Sequence, residues 1–78
     1  MAAIIGELLD YKVTIFLDSE VIKEARYSNG HLTIFFVNGS IYDYLAPEYV
    51  YDTLSDMTEG VGGFYHKAIR GKYESRKI

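Results

Sequence analysis

The chain has 78 residues, a formal net charge of −3 at pH 7 and no cysteine. This length suits one domain near the lower limit for independent folding, and 49% hydrophobic residues argue against disorder. Without cysteine, disulfides and thiolate zinc sites are excluded. The apolar first segment lacks a basic region and contains Glu7, so we expect no export signal, no membrane association and a cytoplasmic location.

Residues 1–18 are predicted to form an N-terminal extension to a domain at 19–78. Within this extension, residues 11–17 combine β propensity with partial alternation of apolar and polar side chains. We therefore expect a strand at the sheet edge or against another subunit, because an unpaired apolar edge favours aggregation.

Two Asn-Gly dipeptides, at 29–30 and 38–39, separate three runs rich in aromatic and β-branched residues. Asn-Gly is the preferred centre of a two-residue type I′ turn, which joins antiparallel strands. The runs at 21–28, 31–37 and 40–46 therefore predict a three-stranded antiparallel meander.

Two-residue turns also predict which residues lie opposite each other in neighbouring strands. In the second hairpin, Phe36 is then expected opposite Ile41, and Phe35 opposite Tyr42. One face of the sheet is predicted to form the core, with Ala25, Tyr27, Leu32, Ile34, Phe36, Ile41 and Leu45. The other face is predicted to be amphipathic and aromatic, with Glu24, Arg26, His31, Thr33, Phe35, Tyr42 and Tyr44, and with Ile22 and Val37 near one end.

Two short helices are predicted to follow the meander. Pro47 suits the first turn of a helix over 47–57, in which apolar residues recur at helical spacing. The glycine-rich segment 59–63 is expected to be a flexible connector, with an anion-binding loop as the alternative. A second helix over 64–70 ends before Gly71, and Tyr73 returns the chain to the core. The predicted fold is α+β: a three- to four-stranded antiparallel meander with both helices on one face.

Charge is distributed unevenly along the chain. Residues 1–63 contain three basic and ten acidic residues, whereas residues 64–78 contain five basic residues and one acidic residue. The acidic part disfavours general binding of polyanions. The basic part is interpreted as a solvated helix and chain end, with a local anion site as the alternative.

No pattern in the sequence indicates a catalytic or metal centre. The serines lack a motif that would place a base beside them, and two histidines, His31 and His66, are too few for a typical zinc site. Asp52 and Asp56 lie one turn apart on the first predicted helix, which is more typical of a solvated face than of an acid–base pair. We predict that the protein is not an enzyme and has no cofactor or bound metal.

The order and spacing of these elements resemble the KTSC domain, a small module named for its occurrence at the C-terminus of some lysyl-tRNA synthetases. It also occurs as a stand-alone protein in bacteria and phages. The similarity covers about residues 19–73 and is carried by Ser19, Leu32-x-Ile34-x-Phe36, Asn38-Gly39, Tyr42-x-Tyr44, Pro47 and the segment 63–73.

The resemblance implies that Tyr42 and Tyr44 form the central signature of the family. Its C-terminal signature is matched by Tyr65, Ile69, Lys72 and Tyr73, but His66 stands where the family usually has Asn. The family has no established activity, and RNA binding has been proposed for it.

The predicted function is binding, with two alternatives. Aromatic residues on a sheet face can stack single-stranded bases while cations neutralise phosphates. A short RNA or nucleotide is the first predicted partner, bound through Tyr42, Tyr44, Phe35, Arg26, His66, Lys67, Arg70, Lys72 and Tyr73. The alternative is a protein–protein or homo-oligomeric interface on the same face, for example in a phage-encoded protein that sequesters or inhibits a host factor. Tyrosine is enriched in both kinds of site, so it does not discriminate between them.

Overall fold

Six strands and two helical segments make up the computed structural model, which describes residues 3–8 and 11–78. The strands are β1 (Ala3–Leu8), β2 (Tyr11–Phe16), β3 (Ile22–Ser28), β4 (His31–Phe36), β5 (Ile41–Leu45) and β6 (Ser75–Lys77). Helix α1 (Glu48–Ser55) follows β5, and helix α2 (Val61–Phe64) continues into a π-helical turn (Tyr65–Ile69).

The strands form a single antiparallel sheet in which the spatial order is the order along the chain. The α+β class is confirmed, but three to four strands was too few. The segment 11–17 does contain a strand, β2, which pairs with β1 on one side and with β3 on the other. Its expected position at the sheet edge was wrong, because residues 3–8 form a further strand outside it.

The first Asn-Gly turn has the predicted geometry. Asn29 and Gly30 both have positive φ, at 49° and 83°, as a type I′ turn requires. Ser28 consequently lies opposite His31, and Tyr27 opposite Leu32. The predicted register of the first hairpin is confirmed.

The second Asn-Gly dipeptide lies in a three-residue loop, and the predicted register of this hairpin was wrong. The Gly39 N–H donates to Phe36 O at 3.0 Å, and the Phe36 N–H donates to Ser40 O at 2.9 Å. Only Gly39 has positive φ (95°), so the loop is a type I turn closed by a glycine bulge. The Val37 N–H donates to the carbonyl O of Val21, the residue before β3, so Val37 does not pair with Ser40.

This one-residue difference moves every side chain of β5 to the other face of the sheet. Tyr42 lies opposite Ile34, and Tyr44 opposite Leu32, on the face that packs against the helices. Ile41 and Leu45, which were predicted to be core residues, lie on the opposite face, and Leu45 is 46% exposed.

An irregularity in β3 changes the position of a second predicted residue. Ile22 lies opposite Phe36 and Glu24 lies opposite Phe35, so Lys23 is an extra residue in a β-bulge. Because of the bulge, Ile22 turns into the core and is fully buried. Its predicted place on the amphipathic face was wrong.

The helices cover one face of the sheet and enclose the core. In the core, the Thr14 and Tyr51 hydroxyls form a 2.7 Å hydrogen bond between β2 and α1, and the Tyr27 hydroxyl donates to Ala46 O at 2.8 Å. Lys12 forms an ion pair with Glu48 of α1 at 2.6 Å. The buried cluster consists of Phe16, Ile22, Ala25, Tyr27, Leu32, Ile34, Tyr44, Ala46, Val50, Tyr51, Leu54, Val61, Tyr65 and Ile69.

The C-terminal third is more ordered than the sequence predicts. The segment 59–63 is only partly a connector, because Gly60 has φ 72° and the helix begins at Val61. A Cβ at Gly62 would lie 2.8 Å from Val21 Cγ2, so the close approach of the helix to β3 requires glycine there. The chain end is not solvated coil, because β6 pairs with β5. Among the described residues, no helix is long and apolar enough to cross a membrane.

Candidate ligand cleft

Three tyrosines from two elements meet where the helical segment crosses the sheet. Tyr42 and Tyr44 come from β5, and Tyr65 comes from the start of the π-helical turn. The Tyr44 and Tyr65 hydroxyls form a buried 2.5 Å hydrogen bond. Phe36 packs edge-on against Tyr65, with ring centroids 5.1 Å apart, and against Tyr42 at 5.9 Å. This tyrosine cluster, formed by Phe36, Tyr42, Tyr44 and Tyr65, joins the sheet to the helix.

The π-helical turn sets the direction of the side chains that border the cluster. The Arg70 N–H donates to Tyr65 O at 2.9 Å, an i to i−5 bond. Within this turn Tyr65 and Ile69 are buried, whereas the next residue after each, His66 and Arg70, is exposed. Single π-helical turns occur frequently at functional sites, since they re-aim side chains within a helix.

A cleft of about 390 Å³ opens beside the tyrosine cluster, between the turn that follows β4 and the π-helical turn. Besides the tyrosine hydroxyls, its polar groups come from the turn after β4, from the π-helical turn with the residue that follows it, and from β6. The residues that line it are Val21, Phe36, Asn38, Ser40, Tyr42, Tyr44, Tyr65, His66, Arg70, Gly71 and Ser75. Among the residues that the structure describes, the lining contains one arginine and one histidine and no carboxylate, in a protein whose net charge is negative.

The hydroxyl at the back of the cleft stays protonated. Burial, followed by the hydrogen bond with Tyr65, raises the pKa of Tyr44 far above its ordinary value near 10, against an opposing effect from the charge of Arg70. Tyr44 is therefore a neutral hydrogen-bonding group at physiological pH. The positive charge of the cleft comes from Arg70.

The sequence profile of the KTSC domain matches residues 18–73 of the chain. The chain belongs to the KTSC domain family. No curated protein sequence matches it. In this KTSC domain, both tyrosines of the Tyr-x-Tyr pair and His66 line one cleft.

The structure brings together four of the nine residues predicted to bind a ligand. Those that line the cleft of the KTSC domain are Tyr42, Tyr44, His66 and Arg70. Lys67 and Lys72 are exposed outside it, while Tyr73 packs against the core and hydrogen-bonds Tyr49. The last two, Phe35 and Arg26, lie on the opposite face of the sheet, where the Arg26 guanidinium stacks 4.8 Å above the Phe35 ring. The prediction that Phe35 and Arg26 share a face with Tyr42 and Tyr44 was wrong. The extra loop residue places the side chains of β5 on the opposite face of the sheet.

Sequence reasoning missed several residues that complete the cleft of the KTSC domain. Tyr65 matches the C-terminal signature, so a signal for it was present. Asn38 and Ser40 join the cleft through the three-residue loop, and Ser75 joins it because β6 pairs beside Tyr44. Nothing in the described residues brings three or more His, Asp or Glu side chains close enough to hold a metal ion.

Proposed function

We propose that this KTSC domain is a non-catalytic binding module that takes a single nucleotide, either free or as one residue of a short RNA, into the cleft. The observation that carries the proposal is the joining of a partly exposed tyrosine ring, Tyr42, with the cation Arg70 in a cleft without carboxylates. A volume of about 390 Å³ is within the usual range of small-molecule sites. A cytoplasmic location, as the sequence predicts, would give such a site access to nucleotides.

Each part of a nucleotide has a matching group in the cleft. Any base can stack on an aromatic ring, whatever the base's identity, and Tyr42 is the tyrosine of the cleft whose ring is partly exposed. The Arg70 guanidinium suits a phosphate, because its planar fork makes charge-assisted hydrogen bonds to two oxygens. Asn38, Ser40 and Ser75 supply amide and hydroxyl groups for sugar or base edges.

The ring of Tyr42 is already positioned before a ligand arrives. Phe36 packs against it nearly perpendicularly, at 87°, and Tyr44 lies beside it with ring centroids 6.4 Å apart. Tyr44 is in turn held by its hydrogen bond to Tyr65. Little side-chain entropy would be lost when a base stacks there, which favours affinity.

The acidic charge of the rest of the chain restricts the size of the ligand. Ten of the eleven acidic residues precede residue 64, so a long nucleic acid that extends beyond the cleft would meet repulsion. A free nucleotide or a few bases of RNA fits this charge distribution.

The test is calorimetric titration with mononucleotides and with a short single-stranded RNA. Arg70→Gln is expected to weaken binding by about 10-fold or more, since a hydrogen bond to a charged group contributes roughly 1.5–3 kcal/mol. Lys67→Gln is the matched control, because it removes the same charge three residues before Arg70, where the side chain is exposed outside the cleft. Tyr42→Ala is expected to lose the stacking contribution, about 1–3 kcal/mol per base.

Two outcomes would contradict the proposal. One is the absence of chemical-shift changes at Tyr42, His66 and Arg70 when nucleotides are added to the folded protein. The other is an equal loss of affinity in Arg70→Gln and Lys67→Gln, since binding would then depend on overall charge and not on the cleft.

A further inference from the structure

The face of the sheet that the helices leave open has a regular arrangement of side chains. Three cross-strand rows run over it, defined by the pairing of neighbouring strands. The middle row contains Val13, Arg26, Thr33, Asp43 and Arg76. The row on one side contains Ile15, Glu24, Phe35 and Ile41, and the row on the other side contains Ser28, His31 and Leu45.

Outside its middle row, this open face, defined by those three rows, carries four apolar or aromatic side chains beside three polar ones; the four are Ile15, Phe35, Ile41 and Leu45. Phe35 lies on β4 next to the middle row, and its ring is covered on one side by the Arg26 guanidinium. The same guanidinium lies 5.5 Å from the centroid of the Tyr11 ring, so Arg26 contacts two aromatic rings. Aromatic residues and arginine are enriched in protein interfaces.

The charges on the open face balance each other, which distinguishes it from the cleft. Arg26 forms an ion pair with Glu24, and His31 contacts Asp43 at 2.9 Å. Arg76 lies opposite Asp43 in the sheet. Two arginines and two carboxylates leave no excess positive charge for a nucleic acid, so a protein surface is the better match.

The order of charges in the middle row indicates a second copy of the same chain. Thr33 is at the centre of the row, with Arg26 one strand away on one side and Asp43 one strand away on the other. A two-fold axis parallel to β4 beneath Thr33 would place Arg26 of each chain over Asp43 of its partner. It would also place the two Phe35 side chains opposite each other on the axis, because both Thr33 and Phe35 lie on β4.

The size of the open face agrees with a dimer. The five strands that carry the rows, at a spacing of about 4.8 Å and a length of about 20 Å, give a flat footprint of roughly 500 Å². The accessible area of a layer of side chains exceeds its flat footprint, which brings it towards the about 800 Å² per partner of a standard interface.

We propose that the open face is the interface of a two-fold homodimer, in which two sheets pack face to face with Phe35 on the axis and reciprocal Arg26–Asp43 pairs on either side of it. Face-to-face packing at about 10 Å leaves the helices and the cleft of each chain on the outside. The dimer is therefore independent of nucleotide binding, and each cleft is accessible in it.

The test is sedimentation equilibrium of the full chain, with circular dichroism as the check of folding. The wild type is expected at twice the 8.9 kDa mass of one chain. Phe35→Asp is expected to be a folded monomer. Val37→Asp is the matched control, because Val37 is apolar like Phe35 but lies in the loop after β4, where it is 54% exposed. This variant is expected to remain dimeric.

Exchanging the charges of Arg26 and Asp43 tests the proposed pairing of these two residues across the two-fold axis. It also keeps the proposal testable if Phe35→Asp does not fold. Arg26→Asp and Asp43→Arg are each expected to weaken the dimer at least 10-fold, and the double variant is expected to recover most of the loss. A wild type that is monomeric at submillimolar concentration overturns the proposal. So does a dimer that survives in folded Phe35→Asp, or a double variant no more dimeric than the single ones.

Discussion

The two Asn-Gly turns of this protein have the same dipeptide and different geometry. In the first, Asn29 and Gly30 are both left-handed and close a two-residue loop. In the second, only Gly39 is left-handed, and Val37 becomes a third loop residue. A turn dipeptide therefore predicts a hairpin but not the length of its loop. The loop length decides on which face of the sheet each side chain of the next strand lies, and it depends on hydrogen bonds elsewhere, here the one from Val37 N to Val21 O.

The largest expected effect shows which side chains of β5 face the core. Tyr44→Ala should lower the free energy of unfolding by about 3–5 kcal/mol, because it empties a buried site that is only 3% exposed. Leu45→Ala should cost less than about 1 kcal/mol, since this side chain is half exposed on the other face. Urea denaturation of dilute protein measures both. A two-residue second turn would reverse the order of the two effects.

The next effect concerns the contact that the three-residue loop creates between Tyr44 and Tyr65. Tyr65→Phe should cost about 1–3 kcal/mol, because it leaves the buried Tyr44 hydroxyl without its partner. Tyr42→Phe is the control, since Tyr42 is partly exposed, and a change of a few tenths of a kcal/mol is expected. Equal losses in the two variants would mean that the hydrogen bond contributes nothing specific.

Alkaline pH should weaken the same contact. Burial raises the pKa of Tyr44 in the folded protein above its ordinary value near 10. Above pH 10 the unfolded chain loses this proton while the folded chain keeps it, so stability falls as pH rises. Below pH 10 both states are protonated, and the contribution is fully present. Tyr44→Phe should flatten the decline in urea midpoints above pH 10, and an unchanged decline would exclude Tyr44 as its source.

The smallest expected effect compares the two asparagines directly. Asn29→Gly should change stability by only a few tenths of a kcal/mol, because glycine readily adopts the left-handed φ of 49°. Asn38→Gly should cost about 1 kcal/mol, since Asn38 Oδ1 accepts a 2.9 Å hydrogen bond from Ser40 N and needs no left-handed φ. Thermal denaturation of the two variants measures the difference. Equal changes would indicate that the two turns share one geometry.

Much of the fold follows from local sequence signals. The Asn-Gly dipeptides predict both hairpins, and Pro47 with the helical spacing after it predicts α1, which runs from Glu48 to Ser55. The first hairpin was predicted down to its pairs because type I′ geometry depends on Asn29 and Gly30 themselves. These features are decided by residues next to each other in the chain.

Features that depend on distant contacts were not predictable in this way. The face of Tyr42 depends on a hydrogen bond between Val37 and Val21, and the burial of Ile22 depends on a bulge with no turn residue to mark it. The lining of the candidate cleft depends on such contacts too, because Ser40 enters it through the loop and Ser75 through the pairing of β6 with β5. For the cleft, the distribution of charge along the chain was more informative than the spacing of apolar residues, because the basic C-terminal segment supplies Arg70.

The chain-order arrangement of the sheet has a consequence for folding kinetics. Each strand pairs with the strands that precede and follow it in the sequence, so most of the sheet is built from short-range contacts. Loop closure is inexpensive in such a topology, and rapid folding is expected for a β-rich domain. Only the β5–β6 connection, which spans the helices, closes a long loop. Because β6 brings Ser75 to the cleft, the cleft should be the last region to form, and its formation would mark the end of folding.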